Sequence, residues 1–197
     1  MDHSKRPDTY SRRELLKTAV RSTSGITVAG LFQPLIGENI ESFAHSENPP
    51  IPPATRKSMK GVPFERHPKV RFGIVGTGLR GRSVMNDLLS VQGAEIVAVC
   101  DPVLEKTVRA AKLCREYGQK EPAIYHDGHH DFEKLVTRDD IDFVYTATPW
   151  EWHVPIMLAA LAAGKHCGSE CPIGTTLKDL WSLVDASEKA QKHCMQL

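Results

Sequence analysis

The run Gly76-Thr77-Gly78-Leu79-Arg80-Gly81, set directly behind Val70-Arg71-Phe72-Gly73-Ile74-Val75, constrains this chain more than any other feature. Short apolar β-formers that end in such a turn read as a strand feeding a helix. The geometry asks for glycine three times. Gly76 makes the tight turn, Gly78 lets backbone approach a pyrophosphate, and Gly81 allows the helix to pack closely on the strand. The amides of the first helical turn, where Leu79 and Arg80 fall, then face the anion. Gly76, Gly78, Leu79, Arg80 and Gly81 are therefore the candidate contacts to a dinucleotide.

Glycine-rich turns are common in loops, so the context matters. A helical stretch follows from Gly81 to about Val91, and Glu95-Ile96-Val97-Ala98-Val99-Cys100 forms a second buried strand that ends at Asp101-Pro102. Asp101 stands where the fingerprint wants an acid. A carboxylate there accepts hydrogen bonds from both ribose hydroxyls and repels a 2′-phosphate, which favours NAD over NADP. The competing reading is that Asp101 caps the helix beginning near Val103.

The alternation then continues. Helices are expected near Val103–Tyr117, Asp131–Val136, His153–Ala163 and Thr176–Lys192, and strands at Ala123–Tyr125, Ile141–Thr146 and Lys165–Ser169. Strands alternating with helices give an α/β fold, a doubly wound parallel sheet of the Rossmann type. Cys194-Met195-Gln196-Leu197 looks like the start of another strand. A domain is not expected to end there, so the expectation is an NAD-binding domain over 70–197, truncated before a C-terminal α/β substrate domain.

Composition narrows the partners. With 41% hydrophobic and 25% charged residues the chain can build a core, and a net charge of +1 supplies no basic stripe for nucleic acid. The five cysteines, Cys100, Cys114, Cys167, Cys171 and Cys194, are odd in number and sit mostly in apolar runs, as small buried hydrophobes do. Cys167 and Cys171 lack a second ligand pair with zinc spacing. His126-Asp127-Gly128-His129-His130-Asp131 reads as a polar strand-to-helix connection, so no metal is expected.

The first third has a different character. Ser11-Arg12-Arg13-Glu14-Leu15-Leu16-Lys17 precedes a mildly apolar stretch from Thr18 to Phe32, too short and polar to span a bilayer. It resembles a twin-arginine export signal, with cleavage expected after Ala44 in Ser42-Phe43-Ala44. Arg21 interrupts the apolar stretch, and a disordered basic tail with a chance arginine pair is the alternative. Residues 45–69 contain Asn48-Pro49-Pro50-Ile51-Pro52-Pro53 and read as a proline-rich linker. The expectation is export through the twin-arginine translocase to the periplasm or the extracellular space, without a stable membrane anchor.

From Val70 to Leu197 the chain resembles the Gfo/Idh/MocA oxidoreductase family. The glycine turn, Thr148-Pro149-Trp150-Glu151-Trp152-His153, Ala162-Ala163-Gly164-Lys165-His166 and Glu170-Cys171-Pro172 follow that family's order and spacing. Trp150-Glu151-Trp152-His153 is similar, more narrowly, to glycoside hydrolase family 109, which removes α-linked N-acetylgalactosamine with tightly held NAD. The resemblance implies that Trp150, Trp152 and His153 form a cofactor-contacting loop, and that Glu170, with Cys171 beside it, reaches toward the nicotinamide. Glu170 is also the one candidate for a catalytic role. Core filling by the tryptophans, helix capping by His153 and a solvated carboxylate at Glu170 are the alternatives. Many relatives have Glu-Lys-Pro where this chain has Glu170-Cys171-Pro172, and cysteine supplies no ammonium for proton transfer. That departure moves the expectation from alcohol dehydrogenation to the glycosidase branch, whose tyrosine and histidine positions would lie beyond Leu197.

An exported enzyme has no free nicotinamide pool, so a bound cofactor restored at every turnover fits best. The resemblance implies a redox-neutral sequence of oxidation, elimination, water addition and reduction on a sugar or glycoside. The rivals are a periplasmic NAD(P)-dependent sugar oxidoreductase and an inactive NAD-binding scaffold. A homo-oligomer formed through the missing domain is a further expectation.

Overall fold

The computed structural model describes residues 57–197. The segment read as an export signal, the expected cleavage after Ala44 and the proline-rich segment as far as residue 56 lie outside the described residues. The strands are β1 (Val70–Val75), β2 (Ala94–Cys100), β3 (Ala123–Tyr125), β4 (Phe143–Thr146), β5 (His166–Ser169) and β6 (Cys194–Gln196). Between them run α1 (Leu79–Leu89), α2 (Leu104–Glu116), α3 (Phe132–Val136), α4 (Trp150–Ala162) and α5 (Leu177–Ala190).

The strands form one sheet in the order β3-β2-β1-β4-β5-β6, and every neighbouring pair is parallel. This is the doubly wound Rossmann sheet that the alternation predicts. Parallel neighbours require crossovers, and the crossover helices cover both faces, which is why apolar strand residues pack on both sides of the sheet. On one face Ile74, Ile96, Val99 and Tyr145 pack with Met85 and Leu89 of α1 and Ala110 and Cys114 of α2. On the other, Ala98, Val144 and Cys167 pack with Leu135 of α3, Ile156, Met157 and Ala160 of α4, and Leu183 of α5. Cys100, Cys114 and Cys167 are buried and unpaired in disulfides, whereas Cys171 is exposed.

Most element limits fall within two residues of expectation; α4 does not. It begins at Trp150, three residues before His153, because the Trp152 N–H already bonds the Pro149 carbonyl at 3.0 Å. Trp150 to His153 is thus the first turn of a helix and not a loop. Pro155 consequently stands inside α4, where it has no N–H to return to the preceding turn. At the far end of the domain α5 starts under Thr176, whose Oγ1 accepts the Asp179 N–H at 3.1 Å.

Residues 57–69 form no helix or strand. Phe64 nevertheless lies against His193, ring centroids 3.9 Å apart, and against His166 at 5.1 Å. Burial pulls the His166 imidazole down to about 4, and its Nδ1 accepts the His193 N–H at 3.0 Å.

Candidate functional site

All the residues singled out from the sequence lie near the carboxyl ends of the strands, where the strand order reverses between β1 and β4 and a crevice opens. A cleft of about 350 Å³ occupies that position. Gly76, Gly78 and Asp101 line one bank; Thr148, Pro149, Glu151 and Trp152 line the other, with His129 beside them.

The three glycines do three different things. Gly76 has φ +86°, and a side chain there would meet the Ala147 carbonyl oxygen at 2.7 Å, so the turn and the approach of β4 both exclude a Cβ. Gly81 packs so closely that a Cβ would fall 1.9 Å from the Gly76 carbonyl oxygen. Gly78 meets nothing within 4 Å. Its missing side chain serves no internal packing, which is what a backbone left bare for a ligand looks like. As the residue that opens α1 it also offers no side-chain cap, so first-turn N–H groups remain for an anion.

Asp101 is buried and bonds backbone on two sides. Its Oδ2 accepts the Thr77 N–H at 3.0 Å, tying β2 to the glycine turn, and its Oδ1 accepts the Val103 N–H at 3.0 Å just before α2. A carboxylate has about four acceptor positions, so capacity remains for ribose hydroxyls. Cys100 at the cleft floor is inert, since burial pushes its thiol up to about 12.

Beyond the residues that line the cleft, at the ends of β4 and β5, side chains form a network. Glu170 Oε1 accepts from Arg80 Nε at 2.6 Å and from the Tyr145 hydroxyl, joining the glycine helix, β4 and the loop after β5. Burial pulls the Glu170 carboxyl up, but the bonds from Tyr145 and Arg80 outweigh it and hold the group below its ordinary range. Both of these donors sit on Oε1, which leaves Oε2 for a ligand. Burial pushes the Tyr145 phenol well above its ordinary value, so it stays a neutral donor.

His153 is fully buried, with Nδ1 2.8 Å from the Pro172 carbonyl and Nε2 2.9 Å from the Thr148 carbonyl. Both ring nitrogens are occupied by backbone, so His153 serves the site by fastening the loop after β4 to the loop after β5, and not by touching a ligand. Trp152 lines the cleft and stacks on His129, rings 8° from parallel and 5.5 Å apart. Trp150 and Leu79 stand outside it, 62% and 90% exposed. Tyr145 and His129 were not legible from sequence: the first sits in a buried strand with no motif around it, and the second lies in a polar connection. Among the described residues no three His, Cys, Asp or Glu side chains gather as a metal site.

Residues 70–196 match the family described as oxidoreductase family, NAD-binding Rossmann fold. The chain belongs to the Gfo/Idh/MocA family. Its cofactor is NAD, and the free Gly78 face, the uncapped helix and the remaining acceptor positions of Asp101 and Glu170 fit that group. The chain is similar to proteins named glycosyl hydrolase family 109: 47% identical over 192 residues to one from Saccharopolyspora erythraea, covering 98% of this chain and 40% of the relative. With one from Streptomyces filamentosus it shares 43% over 206 residues, covering 99% and 42%. Among solved structures, scyllo-inositol dehydrogenase from Lactobacillus casei with bound NAD(H) and scyllo-inositol superposes with a TM-score of 0.55 at 28% identity, over 66% of this chain and 36% of that one. The chain thus spans about two fifths of the length of these curated relatives.

Proposed function

We propose that this chain is the cofactor-holding part of an exported glycosidase that acts on α-N-acetylgalactosaminides or related glycosides without net redox change. The observation that carries the reading is Cys171, exposed beside Glu170 where many dehydrogenase relatives have lysine, in a chain whose curated relatives are named for family 109. NAD, when bound, supplies a reversible hydride acceptor for the sugar's C3.

The chain's own residues position and polarise. The Gly76 to Gly81 turn and the first amides of α1 would hold the pyrophosphate, and Asp101 the adenosine ribose. Glu170 Oε2 would face the nicotinamide ribose, with Arg80 and Tyr145 fixing its aim. Trp152 and His129 would wall the cleft. The exposed Leu79 and Trp150, at the amino ends of α1 and α4, suit cover by a substrate domain. A ketone at C3 would acidify the C2 proton, so that the aglycone could leave by elimination and water add in its place.

The test uses the protein at its natural length in deuterated water. Cleavage with deuterium at C2 and no NADH accumulating in proportion to product is expected. Cleavage without C2 exchange indicates two-carboxylate hydrolysis, and stoichiometric NADH indicates a dehydrogenase. The dehydrogenase outcome is the second reading, a sugar oxidoreductase, favoured by the likeness to scyllo-inositol dehydrogenase. Export is tested separately. Replacing Arg12 and Arg13 by lysine preserves charge and should abolish delivery of a fused reporter; unchanged delivery rejects the signal.

A further inference from the structure

We infer that Lys106 governs how this site distinguishes the two nicotinamide dinucleotides, and that it admits NADP beside NAD. The inference rests on the cofactor reading of the cleft and deepens it. Asp101 by itself should exclude a 2′-phosphate, but it does not stand alone. Lys106 is the one lysine or arginine among the cleft-lining residues, and its Nζ lies 3.7 Å from Asp101 Oδ1.

Three observations give this pair its meaning. The Asp101 carboxylate already accepts from the Thr77 and Val103 N–H groups, so part of its charge is engaged within the protein. The Lys106 contact is longer than a hydrogen bond, so none is lost when the ammonium turns from carboxylate to ligand. The side chain is 39% exposed on the first turn of α2, free to swing on its stem. A phosphate on the ribose 2′-oxygen, next to Asp101, would lie within reach of that ammonium, which offsets the repulsion by forming the closer ion pair. NAD carries no such phosphate, so Lys106 gives it no comparable contact. The signature of the role is therefore selective.

The experiment strips the full chain of any bound dinucleotide and then titrates it with NAD and NADP separately by calorimetry. Wild type should bind NADP within about tenfold of NAD, and Lys106→Ala should weaken NADP by about tenfold while changing NAD by less than about twofold. Lys106→Arg should keep NADP binding, and Asp101→Asn should strengthen it. Raising salt from about 0.05 to about 0.5 M should shrink the Lys106→Ala effect. Equal weakening of both dinucleotides would show Lys106 to be a structural prop and overturn the inference. Unchanged NADP binding in Lys106→Ala, or rejection of NADP by wild type beyond about a hundredfold, would overturn it as well. Failure of wild type to bind either dinucleotide would sink the cofactor reading itself, a result distinguishable from the others.

Discussion

The two banks of the cleft are built on different principles. The bank formed by β1, α1 and β2 relies on backbone: two positions where a Cβ cannot fit, one where it is left out, and a single carboxylate tied to backbone amides. The bank formed by the ends of β4 and β5 relies on side chains that reach across elements: His153 between two carbonyls, and Glu170 between Tyr145 and Arg80. Backbone constraints admit one residue type and leave a spaced motif. A side-chain network can be closed by several residue types from several places, and it leaves little trace along the chain.

The sharpest way to break this comparison is within the glycine turn itself. Gly81→Ala sets a Cβ against backbone, which has no flexible end to give way, and should cost about 3 kcal/mol or more of folding stability. Gly78→Ala fills open space and should leave thermal unfolding nearly unchanged while weakening NAD by about tenfold or more. Equal unfolding temperatures for the two variants would refute the division of labour between packing and ligand approach.

On the other bank the largest loss should come from His153. His153→Leu fills much of the volume but removes the ring between the Pro172 and Thr148 carbonyls and leaves at least one of them without its donor, at about 1 to 3 kcal/mol. Chemical denaturation measures it. A loss below about 0.5 kcal/mol would mean that the loops hold themselves without the ring.

These differences also explain how far the sequence could be read. The parallel doubly wound sheet, the glycine turn and the position of Asp101 follow from periodicity and from the demands on the backbone, and the structure reproduces them. A helix from His153 would hold Pro155 in its first turn, where its missing N–H costs nothing, whereas α4 starts at Trp150 and carries Pro155 further in. His153 was singled out through resemblance as a ligand contact, but its partners are two carbonyls from separate loops, which no local pattern encodes. Tyr145 looks like any apolar strand residue until Glu170, 25 positions later, is brought to its hydroxyl.

The finest test separates Tyr145 as a donor from Tyr145 as packing. Tyr145→Phe keeps the buried ring and removes the hydroxyl that holds Glu170, at about 1 to 2 kcal/mol for a bond to a charged acceptor. Because Glu170 titrates below its ordinary value in the folded protein, its contribution is complete above the unfolded value and disappears as pH falls through the folded one. Loss of the hydroxyl moves the folded value back up, leaving only Arg80 to hold the carboxylate. The stability gap between wild type and Tyr145→Phe should therefore be largest above the ordinary glutamate value of about 4.3 and narrow as pH falls from there through the folded value. A gap that stays constant across that range would assign Tyr145 to packing alone, and Glu170 would then owe its depressed value to Arg80.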